Sequence, residues 1–180
     1  QEGLFQHFKL IAESVSIDQI LYNVPGRTAV DMLVDTTSRL SEISNIIGIK
    51  DATGDLSVIK ELVAKCPEDF LLLTGDDATA IDFLLLGGHG GISVTANVTP
   101  KELQKAYLAA IAGNAEVAKK FNEGLSGLHK NLFIESNPIP VKWALHKMGK
   151  CESGIRLPLL ELSNECKTVL ENDLKKLGLI

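Results

Sequence analysis

Aromatic residues and cysteines are scarce in this chain of 180 residues. Only 5% of the residues are aromatic, so the core must be built mainly from Leu, Ile, Val and Ala. The cysteines Cys66, Cys151 and Cys166 are odd in number and widely spaced. This spacing argues against a disulfide framework and predicts reduced thiols in a cytosolic protein. The histidines show no metal-ligand spacing with one another or with the cysteines, so no metal site is predicted.

An excess of positive charge and long apolar runs are lacking as well. The formal net charge is -5 and the pI is about 5.4, and no Lys/Arg cluster stands out, so we expect no nucleic-acid surface. No apolar stretch is long and uninterrupted enough to span a membrane, and no signal peptide is recognised. These features predict a cytoplasmic protein. A chain that starts on Gln1 without Met also suggests a piece of something longer.

The chain does contain a regular alternation of short apolar and longer amphipathic segments. Strands are predicted near residues 19–23, 46–50, 70–74 and 91–94, and helices near 3–14, 28–40, 55–65 and 77–86. Such βα alternation is typical of a parallel sheet. Later helices are predicted near 100–112, 114–130, 139–147 and 159–177. Thr99, Pro100 and Glu102 form a helix start signal for the first of these.

Four strands allow two architectures. They can form an open sheet, or half of a (β/α)₈ barrel, which needs eight strands and typically about 250 residues. A half barrel would expose two sheet edges and one apolar face, which is a liability for a monomer.

A lysine that closes an apolar run is the most informative candidate residue. Residues 46–50 are typical of a buried strand, which places Lys50 at the carboxyl end, where α/β folds build active sites. An amine held near apolar side chains loses proton affinity, and the free amine can attack a carbonyl to form a Schiff base. Gly48 shares the strand face of Lys50 and would leave space beneath it. The alternative is a rim lysine paired with Asp51 or Asp55.

Further candidates follow the neighbouring strands. Tyr22 could meet Lys50 and shuttle protons, or could be a half-buried aromatic whose hydroxyl is satisfied elsewhere. Arg27 follows a Pro-Gly turn and could clamp a carboxylate, or could be a plain surface arginine. Residues 75–77 could line a site, although turn formation and helix capping is the plainer interpretation. His89 precedes a strand rather than a helix, so we expect a structural role for it.

Five segments of the chain occur in an order that resembles the dihydrodipicolinate synthase family, within the class I pyruvate-dependent aldolase and N-acetylneuraminate lyase superfamily. They are residues 22–28, 46–54, 75–77, 91–97 and 137–143. The resemblance runs from about residue 1 to residue 180. Arg27 matters most within the superfamily, because the resemblance to N-acetylneuraminate lyases fails at that position.

The resemblance implies a role for each candidate. Lys50 matches the lysine that forms a Schiff base with pyruvate, and Tyr22 matches the tyrosine that relays protons during imine formation and cyclisation. Arg27 matches the arginine that holds the carboxylate of L-aspartate 4-semialdehyde. Gly75 and Ile92 match positions that line the pocket mostly through backbone. The implied reaction condenses the two substrates in lysine (diaminopimelate) biosynthesis, with no metal or organic cofactor beyond the covalent pyruvate imine on Lys50.

The implied fold is a partial (β/α)₈ TIM barrel, about the last four βα units, followed by a C-terminal helical region. Residues 1–98 would form the second half of the barrel, and residues 99–180 the closing barrel helix and a helical extension, as one structural unit. The family's loop for the pyruvate carboxylate has no counterpart here, so we expect the chain alone to be incomplete. It would act as a homo-oligomer or with a missing N-terminal half. The alternatives are an inactive half-barrel assembly module, or a related pyruvate aldolase with another aldehyde acceptor.

Overall fold

The computed structural model describes residues 1–180, and these residues form two units. The first comprises Gln1–Ile92 and Ala110–Asn114, and the second comprises Ser93–Ala109 and Ala115–Ile180. The two large clusters of buried apolar side chains lie one in each unit. None of the helices combines the length and the apolar character that crossing a membrane requires.

The first unit is built on a parallel four-stranded sheet with the order β1-β2-β3-β4. Its strands are β1 (Gln19–Asn23), β2 (Ile46–Asp51), β3 (Leu71–Thr74) and β4 (Gly90–Gly91). The helices between them are α1 (Glu2–Ser14), α2 (Pro25–Thr28), α3 (Val34–Ser41), α4 (Leu56–Lys65) and α5 (Ala80–Leu85). The predicted βα alternation and parallel sheet are therefore confirmed.

The two faces of this sheet have different surroundings. On one face, Leu21, Ile49 and Leu72 are at most 3% exposed and join the core formed with the helices. On the other face, Ile20 is 43% exposed and Tyr22 is 46% exposed. We call this second side the open face. The sheet therefore has one packed face and one apolar face that the chain leaves largely uncovered.

The helix predicted over 28–40 starts later, as α3 at Val34, and a separate single turn, α2, ends at Thr28. Ala29 follows α2 with a φ of 56°, and its backbone N–H donates to the carbonyl of Pro25 at 2.9 Å. This left-handed residue ends the helix after one turn. The hydroxyl of Thr28 then donates to the carbonyl of Val30 at 2.9 Å. The continuous helix was a wrong prediction because apolar periodicity contains no signal for a left-handed alanine.

The last strand is also shorter than predicted. We expected residues 91–94, whereas β4 comprises Gly90–Gly91, although the N–H of Ile92 still donates to Thr74 at 2.9 Å. Beyond it, the N–H of Asn97 donates to the carbonyl of Val94 at 3.1 Å. That bond opens an unpredicted 3₁₀ helix, Thr95–Asn97. The carbonyl of Val94 is engaged in this helical turn and is unavailable to a strand.

The second unit is helical. Its helices are α6 (Pro100–Ile111), whose last residues belong to the first unit, α7 (Ala115–Glu123), α8 (Ser126–Asn131), α9 (Ile139–Lys147) and α10 (Asn164–Lys176). The Thr99 hydroxyl donates to the Glu102 carboxylate at 2.8 Å, which lowers the pKa of that carboxyl and confirms the start signal of α6. Two predicted helices differ from the structure. The helix predicted over 114–130 divides into α7 and α8. The helix predicted over 159–177 begins only after Ser163, whose hydroxyl accepts from the backbone N–H of Cys166.

His89 supports the end of the sheet. Its backbone N–H donates to the backbone carbonyl of Leu72 at 2.8 Å. Its ring Nδ1 accepts from the backbone N–H of Leu72 at 3.0 Å. The imidazole therefore accepts the hydrogen bond from the Leu72 N–H that a backbone carbonyl of a neighbouring strand would otherwise accept. The prediction that His89 is structural is confirmed.

Gly48 allows β2 and β3 to lie close together. Its register partner is Leu71, and a Cβ at Gly48 would lie 2.7 Å from both the Cβ and the carbonyl oxygen of Leu71. The space that we expected beneath Lys50 is therefore occupied by the neighbouring strand.

A Gly48→Ala substitution should lower the free energy of unfolding by about 1–3 kcal/mol, because Leu71 and its backbone would have to shift. Urea denaturation measures this loss. Gly3→Ala is the matched control: it lies in α1, a Cβ there meets nothing within 4 Å, and alanine is the better helix former by about 1 kcal/mol. Equal stability of Gly48→Ala and the parent would contradict the close approach of the strands.

Candidate active site

Lys50 and Tyr22 stand side by side on the open face. They are Cα partners in the parallel register of β1 and β2, so both side chains leave the sheet in the same direction. The Nζ of Lys50 lies 4.2 Å from the centroid of the Tyr22 ring, within the range of cation–π attraction. The prediction that an amine and a phenol meet at the carboxyl ends of these strands is confirmed.

Neither neighbouring carboxylate pairs with Lys50. Asp51 points to the packed face, where it accepts from Asn23 and Thr53. Asp55 caps α4 by accepting from the backbone N–H and the hydroxyl of Ser57, both at 2.8 Å. These bonds hold the pKa of Asp55 below its ordinary value. The alternative of a rim lysine paired with Asp51 or Asp55 is therefore wrong.

Tyr22 is not tied down within the chain. Its side chain is about half exposed. The contact of its ring with Lys50 is the one side-chain interaction that it makes within the chain. No hydrogen bond joins its hydroxyl to another residue of the chain, so no protein group competes with a bound molecule for it. A phenol in this position is available to exchange a proton with a molecule that reaches Lys50.

Gly75 makes the room that the Lys50 side chain occupies. It follows β3, and its N–H donates to the carbonyl of Asp51 at 2.6 Å. A Cβ at Gly75 would lie 2.6 Å from the Cε of Lys50 and 2.9 Å from the Cβ of Ala52. We expected Gly48 to provide the space for the lysine side chain. The structure gives it to Gly75, because the lysine stem leans across to the neighbouring strand.

No hydrogen bond, ion pair or ring contact joins Arg27 or Ile92 to the Lys50–Tyr22 pair. Arg27 lies exposed in the single turn of α2, where its N–H donates to the carbonyl of Val24 at 2.9 Å. Ile92 follows β4 and is 48% exposed. Since neither side chain has a polar partner or a buried position, both remain available to a bound molecule.

A buried polar network behind the reactive pair was not predicted. Asn23 is 3% exposed and Asp51 is 4% exposed, and the Nδ2 of Asn23 donates to the Oδ2 of Asp51 at 3.0 Å. The Oδ1 of Asp51 accepts from the backbone N–H of Thr53 at 3.0 Å and from its hydroxyl at 2.5 Å. Burial of a carboxylate requires such partners. The available sequence signal was that two adjacent apolar strands both end on a polar residue.

Asp76 fits the plainer interpretation of its segment. Its Oδ2 accepts from the backbone N–H of Thr79 at 2.9 Å and from the hydroxyl of Thr79 at 2.7 Å. These bonds shape the turn between β3 and α5, which begins at Ala80 rather than at residue 77. Turn formation by Asp76 is therefore confirmed, whereas the N-cap of α5 is Thr79, and no side-chain hydrogen bond caps the helix.

A surface cleft of about 270 Å³ lies within the second unit. Its walls include Trp143, His146 and Lys167, and none of the predicted site residues lines it. No group of three or more His, Cys, Asp and Glu side chains is arranged to hold a metal ion. The chemistry that the sequence predicts is therefore associated with the open face of the sheet.

The sequence is similar to proteins of known classification along its whole length. Residues 1–177 match the model of the dihydrodipicolinate synthetase family. The 4-hydroxy-tetrahydrodipicolinate synthase of Ruthia magnifica subsp. Calyptogena magnifica is 63% identical over 180 residues, which are 100% of this chain and 61% of that protein. The synthase of Pseudomonas aeruginosa is 56% identical over 100% of this chain and 62% of its own length. The chain thus spans about three fifths of these curated relatives.

Solved structures show the same similarity. The chloride-inhibited dihydrodipicolinate synthase from Acinetobacter baumannii, complexed with pyruvate, has a TM-score of 0.96 and 52% identity, covering 99% of this chain and 62% of that one. A structure described as the first monomeric dihydrodipicolinate synthase variant has a TM-score of 0.96 and 39% identity, covering 99% of this chain and 61% of its own. The α/β fold with a parallel sheet matches that of these structures.

A Gly75→Ala substitution should move the ε carbon of Lys50 by about 1 Å, because carbon atoms in contact prefer about 3.5–4.0 Å. The ε-methylene resonance of Lys50 measures this movement, since the Tyr22 ring shifts it upfield when the two groups are in contact. We expect that shift to be lost in Gly75→Ala. Gly26→Ala is the control, because a Cβ there meets nothing within 4 Å. An unchanged resonance in Gly75→Ala would contradict the packing described above.

Proposed function

Because the chain belongs to the dihydrodipicolinate synthetase family, we propose that it carries the reactive lysine of a 4-hydroxy-tetrahydrodipicolinate synthase. The proposed lyase condenses pyruvate with L-aspartate 4-semialdehyde in lysine and diaminopimelate biosynthesis. One observation carries the proposal: the Lys50 amine lies 4.2 Å from the Tyr22 ring centroid, at the carboxyl ends of two paired parallel strands.

The first stage of the proposed reaction is imine formation. The neutral Lys50 amine attacks C2 of pyruvate, and the carbonyl oxygen takes up a proton to give a carbinolamine. Loss of that oxygen as water leaves an imine between Lys50 and the substrate. Both steps need a group that gives and takes protons beside the amine. Tyr22 fits this role because its phenol stands next to Lys50.

The second stage forms the carbon–carbon bond. Loss of a proton from C3 of the imine gives an enamine, whose C3 attacks the aldehyde carbon of L-aspartate 4-semialdehyde. The amino group of the semialdehyde then attacks the imine carbon, closes the ring and releases the Lys50 amine. We assign to Arg27 the binding of the semialdehyde carboxylate, and to Gly75 and Ile92 the lining of the pocket. The imine nitrogen accepts the electrons, so the proposal requires no metal or organic cofactor.

We further propose that the open face is the inner wall of a (β/α)₈ barrel. Residues 1–98 would be its second half, and residues 99–180 the closing helix with a C-terminal helical extension. The exposure of Ile20, Tyr22 and Ile92, between 43% and 48%, supports this arrangement, because an apolar face of this kind is normally covered. Residues comparable to the further two fifths of the relatives would cover it. The working enzyme would be a cytoplasmic homo-oligomer.

The same open face favours a second candidate, an inactive half-barrel module whose role is assembly. It differs from the first candidate in expecting no reaction at Lys50. A third candidate keeps the imine chemistry and changes the aldehyde acceptor. Lys50 therefore separates the first two candidates, and Arg27 separates the first from the third.

Incubation with pyruvate and borohydride should add one reduced pyruvate unit to the chain, because borohydride traps an imine as a stable secondary amine. Intact mass and peptide mapping locate the adduct, which we expect at Lys50. Lys50→Ala should abolish it, and Lys9→Ala, which removes an exposed helix lysine, should not. The measurement is made on the chain alone and on the chain supplied with the N-terminal segment of the Pseudomonas aeruginosa synthase. A folded chain without an adduct in either sample would sink the proposal and favour the assembly module.

An Arg27→Ala substitution should lower kcat/KM for L-aspartate 4-semialdehyde by about tenfold to a hundredfold, because hydrogen bonds between charged groups contribute about 1.5–3 kcal/mol. Pyruvate trapping should stay at the parent rate. Arg156→Ala, a second exposed arginine, is the control. Steady-state assays with the supplied segment give both values. A parent enzyme that prefers sugar-derived aldehydes over the semialdehyde would instead establish the third candidate.

A further inference from the structure

Asn23 and Asp51 form a bridge across β1 and β2 directly after the reactive pair. They are the Cα partners that follow Tyr22 and Lys50 in the same register. The backbone carbonyl of Asn23 also accepts from the N–H of Ala52 at 2.9 Å. Side-chain and backbone bonds therefore join the carboxyl ends of the two strands at one level, on the face opposite the reactive groups.

Asn23 also holds the far end of the segment that contains Arg27. Its Oδ1 accepts from the backbone N–H of Met32 at 3.0 Å, and its Nδ2 donates to the Oδ1 of Asp31 at 2.8 Å. The same Nδ2 lies 3.4 Å from the carbonyl of Met32. Residues 24–32 are thus a segment, including α2, whose first residue follows Asn23 and whose last two residues are hydrogen-bonded to the Asn23 side chain.

We propose that Asn23 and Asp51 are positioning residues that hold the Arg27 segment in a fixed place relative to Lys50. This inference rests on the proposed function, because it assigns the pair a part in the same reaction. Asp51 fixes the orientation of the Asn23 amide, since only the Nδ2 can face a carboxylate. That orientation leaves the Oδ1 to receive the N–H of Met32. One connected series of hydrogen bonds therefore links the two strands and the Arg27 segment.

The pattern of donors and acceptors predicts which substitutions disrupt this series of hydrogen bonds. In Asp51→Asn, one of two acceptors becomes an NH₂ group, which must face either the Nδ2 of Asn23 or the N–H of Thr53. Either choice opposes two donors. In the exchanged pair Asn23→Asp with Asp51→Asn, the new amide donates to the new carboxylate, and that carboxylate still accepts from Met32. The Nδ2 that is replaced lies 2.8 Å from the Oδ1 of Asp31, and two carboxylates at that distance repel each other. Asp31→Asn therefore accompanies the exchange, so that the amide of residue 31 donates to the new carboxylate.

The test measures two properties of the parent, of Asp51→Asn and of the exchanged pair, at a temperature where circular dichroism shows each to be folded. One is kcat/KM for L-aspartate 4-semialdehyde, measured with the supplied N-terminal segment. The other is hydrogen exchange at the Met32 amide, measured by NMR. Asp55→Asn is the matched control, because it makes the same change at the exposed cap of α4.

We expect Asp51→Asn to lower kcat/KM for the semialdehyde by about tenfold, because Arg27 would move relative to Lys50 and a misplacement of ~1 Å can cost about a hundredfold. Exchange at Met32 should accelerate by about fivefold as its acceptor turns away. The exchanged pair should recover most of both losses, and Asp55→Asn should match the parent.

A purely structural role gives a different result. Asp51→Asn would then lose unfolding free energy while its folded molecules kept the parent kcat/KM for the semialdehyde and the parent Met32 exchange, which would overturn the inference. Failure of the exchanged pair to recover either property would overturn it as well. If the parent itself traps no pyruvate, the proposed function fails. Exchange at Met32 alone then decides whether the bridge holds the Arg27 segment, and an unchanged rate in Asp51→Asn rejects it.

Discussion

The parallel register between β1 and β2 is the constraint on which the rest of the candidate site depends. One alignment of the two strands places Tyr22 beside Lys50 on the open face and Asn23 beside Asp51 on the packed face. A slip of one residue in either strand would send its side chains to the opposite face. The amine would then enter the apolar core, and the carboxylate would lose its partners. Chemistry and polar support therefore come from the same alignment.

Apolar burial holds that alignment in place. Leu21, Ile49 and Leu72 occupy one layer of the packed face and are almost fully buried. Shifting β2 would expose Ile49 and bury Lys50, and both changes cost free energy. The core thus selects the register without contacting the reactive groups. Glycines refine it, because Gly48 lets β3 approach and Gly75 leaves room for the lysine stem.

The sequence was sufficient where one local pattern determined the outcome. The first three strands and α4 follow from apolar runs and from the Asp55 cap, and the convergence of Tyr22 with Lys50 follows from strand ends in a parallel sheet. Prediction failed where a backbone conformation has no sequence signal or where residues distant in the sequence decide the outcome. The left-handed Ala29 has no sequence signature, and the glycine that accommodates Lys50 could be identified only from the direction of the lysine stem. The Asn23–Asp51 bond likewise requires knowing which strands pair.

The open face explains why the reactive pair needs more than its own two strands. Tyr22 is about half exposed, so water has access to the side of the sheet where the Lys50 amine would attack a carbonyl. Exclusion of water strengthens electrostatic interactions with developing charge. Under the proposed function, the segment that covers Ile20 and Tyr22 would therefore do two things. It would bind the pyruvate carboxylate, and it would lower the local dielectric around the amine and phenol. The register sets the geometry of the reaction, and the cover sets its electrostatics.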